Sequence, residues 1–237
     1  MNRSTFLLPA MILVTALALA GSNGYRIVKT AVGKKGQWSA ALSLPVFTSR
    51  SPLARLAEST VRGEETKKYQ EFLGEIKKDF AELKKQGMAG QWGFESTPLV
   101  AQNQPTFIGI VVSGWRFEGG AHGMSTTQTY NFGIVDGKPK RLTIHDVVHR
   151  DGFRELKLIM LAKAMKLEGA DWINNGDVND FTENQMNNFR VDGQGLIFEF
   201  DAYELGSYAS GPQSIGVTWA ELKPLMRANG PLLAVAR

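Results

Sequence analysis

Three histidines, no cysteine and a few clustered carboxylates are the reactive side chains this sequence offers. The most suggestive histidine is His122, in Trp115-Arg116-Phe117-Glu118-Gly119-Gly120-Ala121-His122-Gly123. Glycines this dense require positive φ or the close approach of another segment. A general base needs an orienting partner and a proton to take within hydrogen-bond reach. Glu118 could orient the ring, and Ser113 or Ser125 could supply a hydroxyl, but no Gly-x-Ser-x-Gly elbow is present. With no second defined partner, the preferred reading is a turn histidine that bonds backbone and fixes the path between two strands. A hydrolase with His122 as general base and Glu118 or a nearby serine beside it is the alternative.

His145 and His149 have the i, i+4 spacing of a helical zinc pair, with Asp146 between. The signature glutamate and a third ligand are missing. Leu142-Thr143-Ile144 places His145 at a strand end, so a surface pair at a strand-to-helix junction is the better reading. Asp177, Asn179, Asp180 and Glu183 fall short of a calcium loop, which alternates oxygen ligands about a sharp glycine. No metal and no cofactor are expected. The loop from Tyr203 to Pro212 is the best binding candidate. Tyrosine gives large contact area with few rotors to freeze, while serine and glycine adapt around it. Tyr203 and Tyr208 are the expected anchors, with Glu204 and Ser210 adding hydrogen bonds.

These residues need a frame. Residues 38–47 alternate Ala40, Leu42 and Leu44 against smaller polar residues and predict a strand. Residues 48–59 read as a loop. Residues 64–86 predict a helix, with Tyr69, Phe72, Leu73, Ile76, Phe80 and Leu83 on one stripe and Gly87 as its stop. Strands follow over 92–100, 106–116 and 126–135, the last ending in the turn pair Asp136-Gly137. A second helix is expected over 153–166, capped by Asp151. Strands about Asp192-Gly193, a strand over 214–218 and a terminal helix capped by Thr218 and Glu221 complete the chain. Clustered strands without regular helix alternation predict an α+β fold. Its mainly antiparallel sheets pack with a long helix in the N-terminal half and a second helix, as two closely associated subdomains.

The N-terminus reads as an address. Arg3 precedes an apolar run from Phe6 to Leu19, and Ala18-Leu19-Ala20 is a small-x-small cleavage site. Residues 1–20 are therefore expected to be a signal peptide, and the glycine-rich residues 21–36 a flexible tether. A membrane role is expected only if the signal stays uncleaved. Without cysteine the chain is neither a lipoprotein nor disulfide-stapled. The formal net charge of +4 is spread, with lysine pairs 67–68, 77–78 and 84–85 on an apparent helix face. Such a run is a solvated face, so no nucleic acid is expected.

The order of these motifs carries a resemblance. The helix Tyr69 to Phe80, the Gly119–Gly123 turn, Tyr130-Asn131-Phe132, Asp136-Gly137-Lys138, Leu142 to Val148 and the run Gly195 to Pro212 resemble a tandem pair of envelope domains. That pair is found in the lysozyme-sensing anti-sigma factor RsiV and before the catalytic domain of the peptidoglycan deacetylase PdaC. The similarity covers about residues 37–226. It implies a PdaC/RsiV-like subdomain at 37–135 and an RsiV-like subdomain of unknown function at 136–237. It also implies a periplasmic or extracellular, non-enzymatic binding module for lysozyme, another cell-wall enzyme or peptidoglycan. The tyrosine loop departs from the family, with Ser207 where proline is expected before the second tyrosine. The envelope hydrolase using His122 is the functional alternative.

Overall fold

A computed structural model describes residues 16–17, 24–80, 82, 85, 91–233 and 235–236. It is an α+β fold of two sheets. The larger sheet has strand order β1 to β7: Ala16–Leu17, Tyr25–Lys34, Trp38–Phe47, Trp92–Asn103, Phe107–Phe117, Met124–Val135 and Lys138–Arg141. Every neighbouring pair is antiparallel except β3 with β4, which is parallel. A parallel pair needs a crossover. Here α1 supplies it, running Pro52–Glu75 and continuing as a π-helical turn over Ile76–Phe80.

The helix starts twelve residues before the expected Glu64. Ser51 caps it, its hydroxyl accepting from the Ala54 backbone N–H at 3.2 Å, and Pro52 fits the first turn, where no amide is needed. Leu53, Ala54, Ala57 and Val61 pack with Phe47, Ile110 and Phe132 against the sheet. Tyr69, Phe72, Ile76 and Phe80 form a second patch with Trp92 and Phe94. The expected helix end at Gln86 and Gly87 lies outside the described residues.

The tether expected over residues 21–36 is corrected. Residues 25–34 form β2, paired along their length with β3. Neither face of β2 is fully buried, so the one-sided alternation that marks a strand is missing. Of the expected signal segment only Ala16 and Leu17 are described, paired with Lys29 and Val28. Among the described residues no helix is long and apolar enough to cross a membrane.

The first sheet continues past the expected boundary at 135/136. Asp136 and Gly137 both have positive φ and turn β6 back onto β7. The second unit begins after Arg141, with α2 (Ile144–Val147), α3 (Arg150–Ala164), α4 (Asp171–Asn174) and α5 (Glu183–Asn187). Its sheet has order β10 (Gln213–Thr218), β9 (Gly195–Phe200), β8 (Phe189–Val191), followed by α6 (Trp219–Leu222). Leu156 and Met160 of α3 share a core with Phe189, Phe198 and Phe200. The expected box holds at α6: Thr218 Oγ1 accepts from Glu221 N at 3.3 Å, and Glu221 accepts from Thr218 N at 2.8 Å.

His145 lies in α2, not at a strand end. The cap of α3 is His149, not Asp151: His149 Nδ1 accepts from Gly152 N at 3.0 Å. His145 instead packs on Phe153, ring centroids 4.4 Å apart.

The two units join along β6. Only its last residues pair with β7, so an edge of backbone groups over Thr127–Asn131 needs partners. Side chains of the second unit supply them. Asn188 accepts from Thr129 N and donates to Thr127 O, both at 2.8 Å, and Asp201 accepts from Thr127 N at 2.7 Å. In return Asn131 donates to Phe189 O.

Candidate functional site

The tyrosine loop is held from both ends. Glu204 accepts from Asp201 N at 2.6 Å, closing the turn after β9, and Leu205 O accepts from Trp172 N at 3.2 Å. Gly206 lies so close to Gly169 that a Cβ would sit 2.1 Å from the Gly169 oxygen, so only glycine lets the loop seat there. Tyr203 has φ of 71°, a left-handed conformation that a bulky residue adopts only when its surroundings enforce it. Tyr203 is 47% and Tyr208 36% exposed, so neither tyrosine packs inward.

Tyr208 stacks on His122, with ring centroids 3.5 Å apart and planes at 14°. Its hydroxyl donates to Gly123 O at 2.9 Å. The glycine-dense turn between β5 and β6 is thus the seat for a tyrosine of the other unit. Gly119 and Gly120, with φ of 93° and 92°, bend the chain so that His122 faces out. Beyond Gly123 lies Trp115, 41% exposed, whose ring covers Gly93 and Gly123 so closely that a Cβ on either would collide with it. On the other side Tyr203 lies 5.8 Å from Tyr208 and 6.4 Å from Trp172. The result is an aromatic row, Trp172, Tyr203, Tyr208 and His122, with Trp115 past Gly123. It crosses from one unit to the other.

Glu118 does not serve His122. Arg116 bridges it to Glu75 across α1 and β5. Burial and the hydrogen bond with Glu75 hold the Glu118 carboxyl above the usual range, while Glu75 is held below it by its bond with Glu118. Burial pulls Arg116 down, but the two carboxylates outweigh it and raise it overall. Glu118 is therefore committed to a charge cluster. Among the described residues no hydrogen bond joins His122 to Glu118, Ser113 or Ser125. Glu204 is used in the loop turn. Ser210 faces Ser207, hydroxyl oxygens 3.4 Å apart. The structure thus brings together His122, Tyr203 and Tyr208 and leaves Glu118 apart.

Trp172 was passed over by sequence reasoning, and Trp115 was noted only as the start of the glycine-dense stretch; the fold places both in the row. No group of three or more metal-ligating side chains occurs among the described residues. Asp180 is bound to Lys157 at 2.6 Å, and Glu183 faces His145 at 3.5 Å. The arrangement lacks a nucleophile–base pair. It offers rigid, exposed, amphipathic rings, which is how recognition surfaces are built.

Residues 33–125 match the family model described as deacetylase PdaC, and residues 150–220 match that of a protein of unknown function, DUF3298. No curated protein matches the chain. Among solved structures it is similar to a DUF3298 family member from Bacteroides fragilis, with 17% identity, 96% of each chain covered and a TM-score of 0.64. It is also similar to a DUF3298 family protein from Pseudomonas aeruginosa PAO1, with 13% identity, 93% of this chain and 94% of that one covered, and a TM-score of 0.57. At such identities the likeness shows the fold. Residues 33–125 and 150–220 thus resemble, in that order, the tandem PdaC-type and DUF3298 domains of PdaC and RsiV.

Proposed function

We propose that this chain is an exported, non-enzymatic recognition module of the cell envelope, periplasmic or extracellular. Its aromatic row takes a protein partner, a cell-wall-active enzyme such as lysozyme. The observation that carries the reading is the exposed stack of Tyr208 on His122, which both units must be folded together to form. Binding hot spots favour such tyrosines and tryptophans, because they bury much area and freeze few torsions. The PdaC and DUF3298 matches favour an envelope setting, and the apolar run from Phe6 to Leu19 favours export. Glu204 and Ser210 shape the loop rather than contact the partner.

Co-precipitation of the purified chain with lysozyme tests this reading. Recovery that falls on Tyr208→Ala and Tyr203→Ala supports it, and no recovery with the unaltered chain sinks it. The hydrolase alternative is tested by His122→Ala: cell-wall hydrolysis by the chain that disappears in this variant would restore a catalytic His122.

A further inference from the structure

Among the exposed large apolar residues, Trp115, Tyr203 and Tyr208 are used by the aromatic row. Leu158 and Met165 are more exposed still, at 53% and 57%, and have no part in it. Both lie on α3, Met165 as its C-terminal cap residue, and about two helical turns separate them, so they share one face. Exposed Ala162 lies between them. The opposite face is apolar too: Leu156, Met160 and Ala164 are buried in the core of the second unit with Ile215 and Val217 of β10. A surface helix ordinarily sets one apolar stripe against a polar face, and a helix apolar all round is a buried one. Among the described residues α3 has its inner partner and lacks an outer one.

The charges around this face are arranged for a copy of itself. Lys157 is paired with Asp180 and Lys163 with Glu221. The exposed side chains of Arg154, Glu155, Lys166 and Glu168 make no hydrogen bond or ion pair among the described residues. Glu155 and Lys166 stand about three turns apart on the same flank of the Leu158–Met165 stripe. Two such helices laid antiparallel set Leu158 of each copy against Met165 of the other. The same register sets Glu155 opposite Lys166, and Arg154 opposite Glu168. All three pairs are centred within one residue of Leu161, as a single antiparallel register requires. A parallel arrangement would set Glu155 on Glu155 and Lys166 on Lys166. A two-fold interface must be complementary to itself, and this face is so in both apolar and charged residues.

We propose that the outer face of α3 is an interface for a second copy of this chain, paired antiparallel about a two-fold axis. Fifteen residues of helix are about 22 Å long, so the contact falls below about 1,200 Å² in total, in the weak and reversible class. An anionic membrane is the poorer occupant, because the face carries both signs of charge where such a surface favours basic residues. Pairing gives each assembly two aromatic rows, and so avidity for a partner held in several copies. That consequence rests on the reading of the row given above; the pairing itself does not.

Sedimentation equilibrium of the purified chain, up to about 1 mM, tests the proposal. A reversible monomer–dimer mixture is expected. Leu158→Glu, at an exposed position, should weaken pairing about a hundredfold, because each dimer loses two such contacts. Glu155→Lys and Lys166→Glu should each weaken it about tenfold, by turning both symmetric pairs repulsive. An equimolar mixture of these two variants should pair as the parent does, and so should the double variant. Misfolding would not produce that recovery. Tyr208→Ala should also pair as the parent does. The proposal is overturned by a chain that stays monomeric throughout, by a dimer indifferent to Leu158→Glu, by a mixture that does not recover, or by pairing lost in Tyr208→Ala. A monomer whose binding to phosphatidylglycerol vesicles is lost on Leu158→Glu would assign the face to a membrane and equally overturn it. Lysozyme capture is read separately, so its failure leaves the pairing result standing.

Discussion

Replacing Asp201 with asparagine should make the protein more stable at neutral pH. Burial, aided by repulsion from Glu204 and Glu199, pushes the Asp201 carboxyl from 3.8 up to about 6, against the bond from Thr127 N–H and the attraction of Lys68. The folded carboxyl thus keeps its proton to a higher pH than the unfolded one. The stability it contributes is fully present below about pH 4 and lost as pH rises through about 6. Two pK units correspond to about 3 kcal/mol, and solvent screening of this partly exposed group reduces that to about 1–2 kcal/mol. Asparagine keeps an oxygen for Thr127 N–H and removes the charge. Urea unfolding of both proteins from pH 4 to 8 isolates the effect, because Asp146, Asp180 and Glu221, whose carboxyls are lowered, titrate alike in each. The variant should match the parent near pH 4 and exceed it by about 1–2 kcal/mol at pH 8, with its gain rising around pH 6. A flat difference, or a less stable variant at pH 8, would show that the Thr127 bond outweighs burial and refute the reasoning.

Glu65 is 2% exposed and accepts from Tyr130 Oη and Ser96 Oγ, each at 2.7 Å. Glu65→Ala should cost about 3–5 kcal/mol in urea unfolding, since it strands both hydroxyls. Tyr130→Phe, which removes one bond to a charged acceptor, should cost about 1.5–3 kcal/mol. His149→Ala should lower stability by about 1 kcal/mol through loss of the α3 cap, whereas Asp151→Ala should change it by less than about 0.5 kcal/mol. Gly206→Ala should unseat the tyrosine loop, seen as loss of the Tyr208 ring-current shift on His122, while the β8–β10 core stays protected from hydrogen exchange.

Strands were legible where one face is buried. Residues 38–47 alternate clearly and form β3 over that range. β2 was missed because it is half-exposed on both faces, and without a dry face the chain carries no period-two signal. The first turns of α1 were missed for a related reason. Small Ala54 and Ala57 make only a faint stripe over those turns. The Thr218 box was legible because both partners lie within one turn. His149 was not, because histidine is an uncommon cap. The parallel β3–β4 pair depends on how the α1 crossover closes, which spacing alone does not dictate. At the site, Tyr203, Tyr208 and His122 stood out singly by type. Their assembly, and the inclusion of Trp115 and Trp172, rests on Gly123 and Tyr208 meeting across 85 residues of chain.

The central claim is that the Tyr208–His122 row recognises a protein partner. Calorimetric titration with lysozyme of the unaltered chain and of Tyr208→Ala tests it most directly. Saturable binding that weakens about thirtyfold or more in the variant, a loss of about 2 kcal/mol, is the expected result. Absence of binding, or an affinity unchanged by Tyr208→Ala, would contradict it.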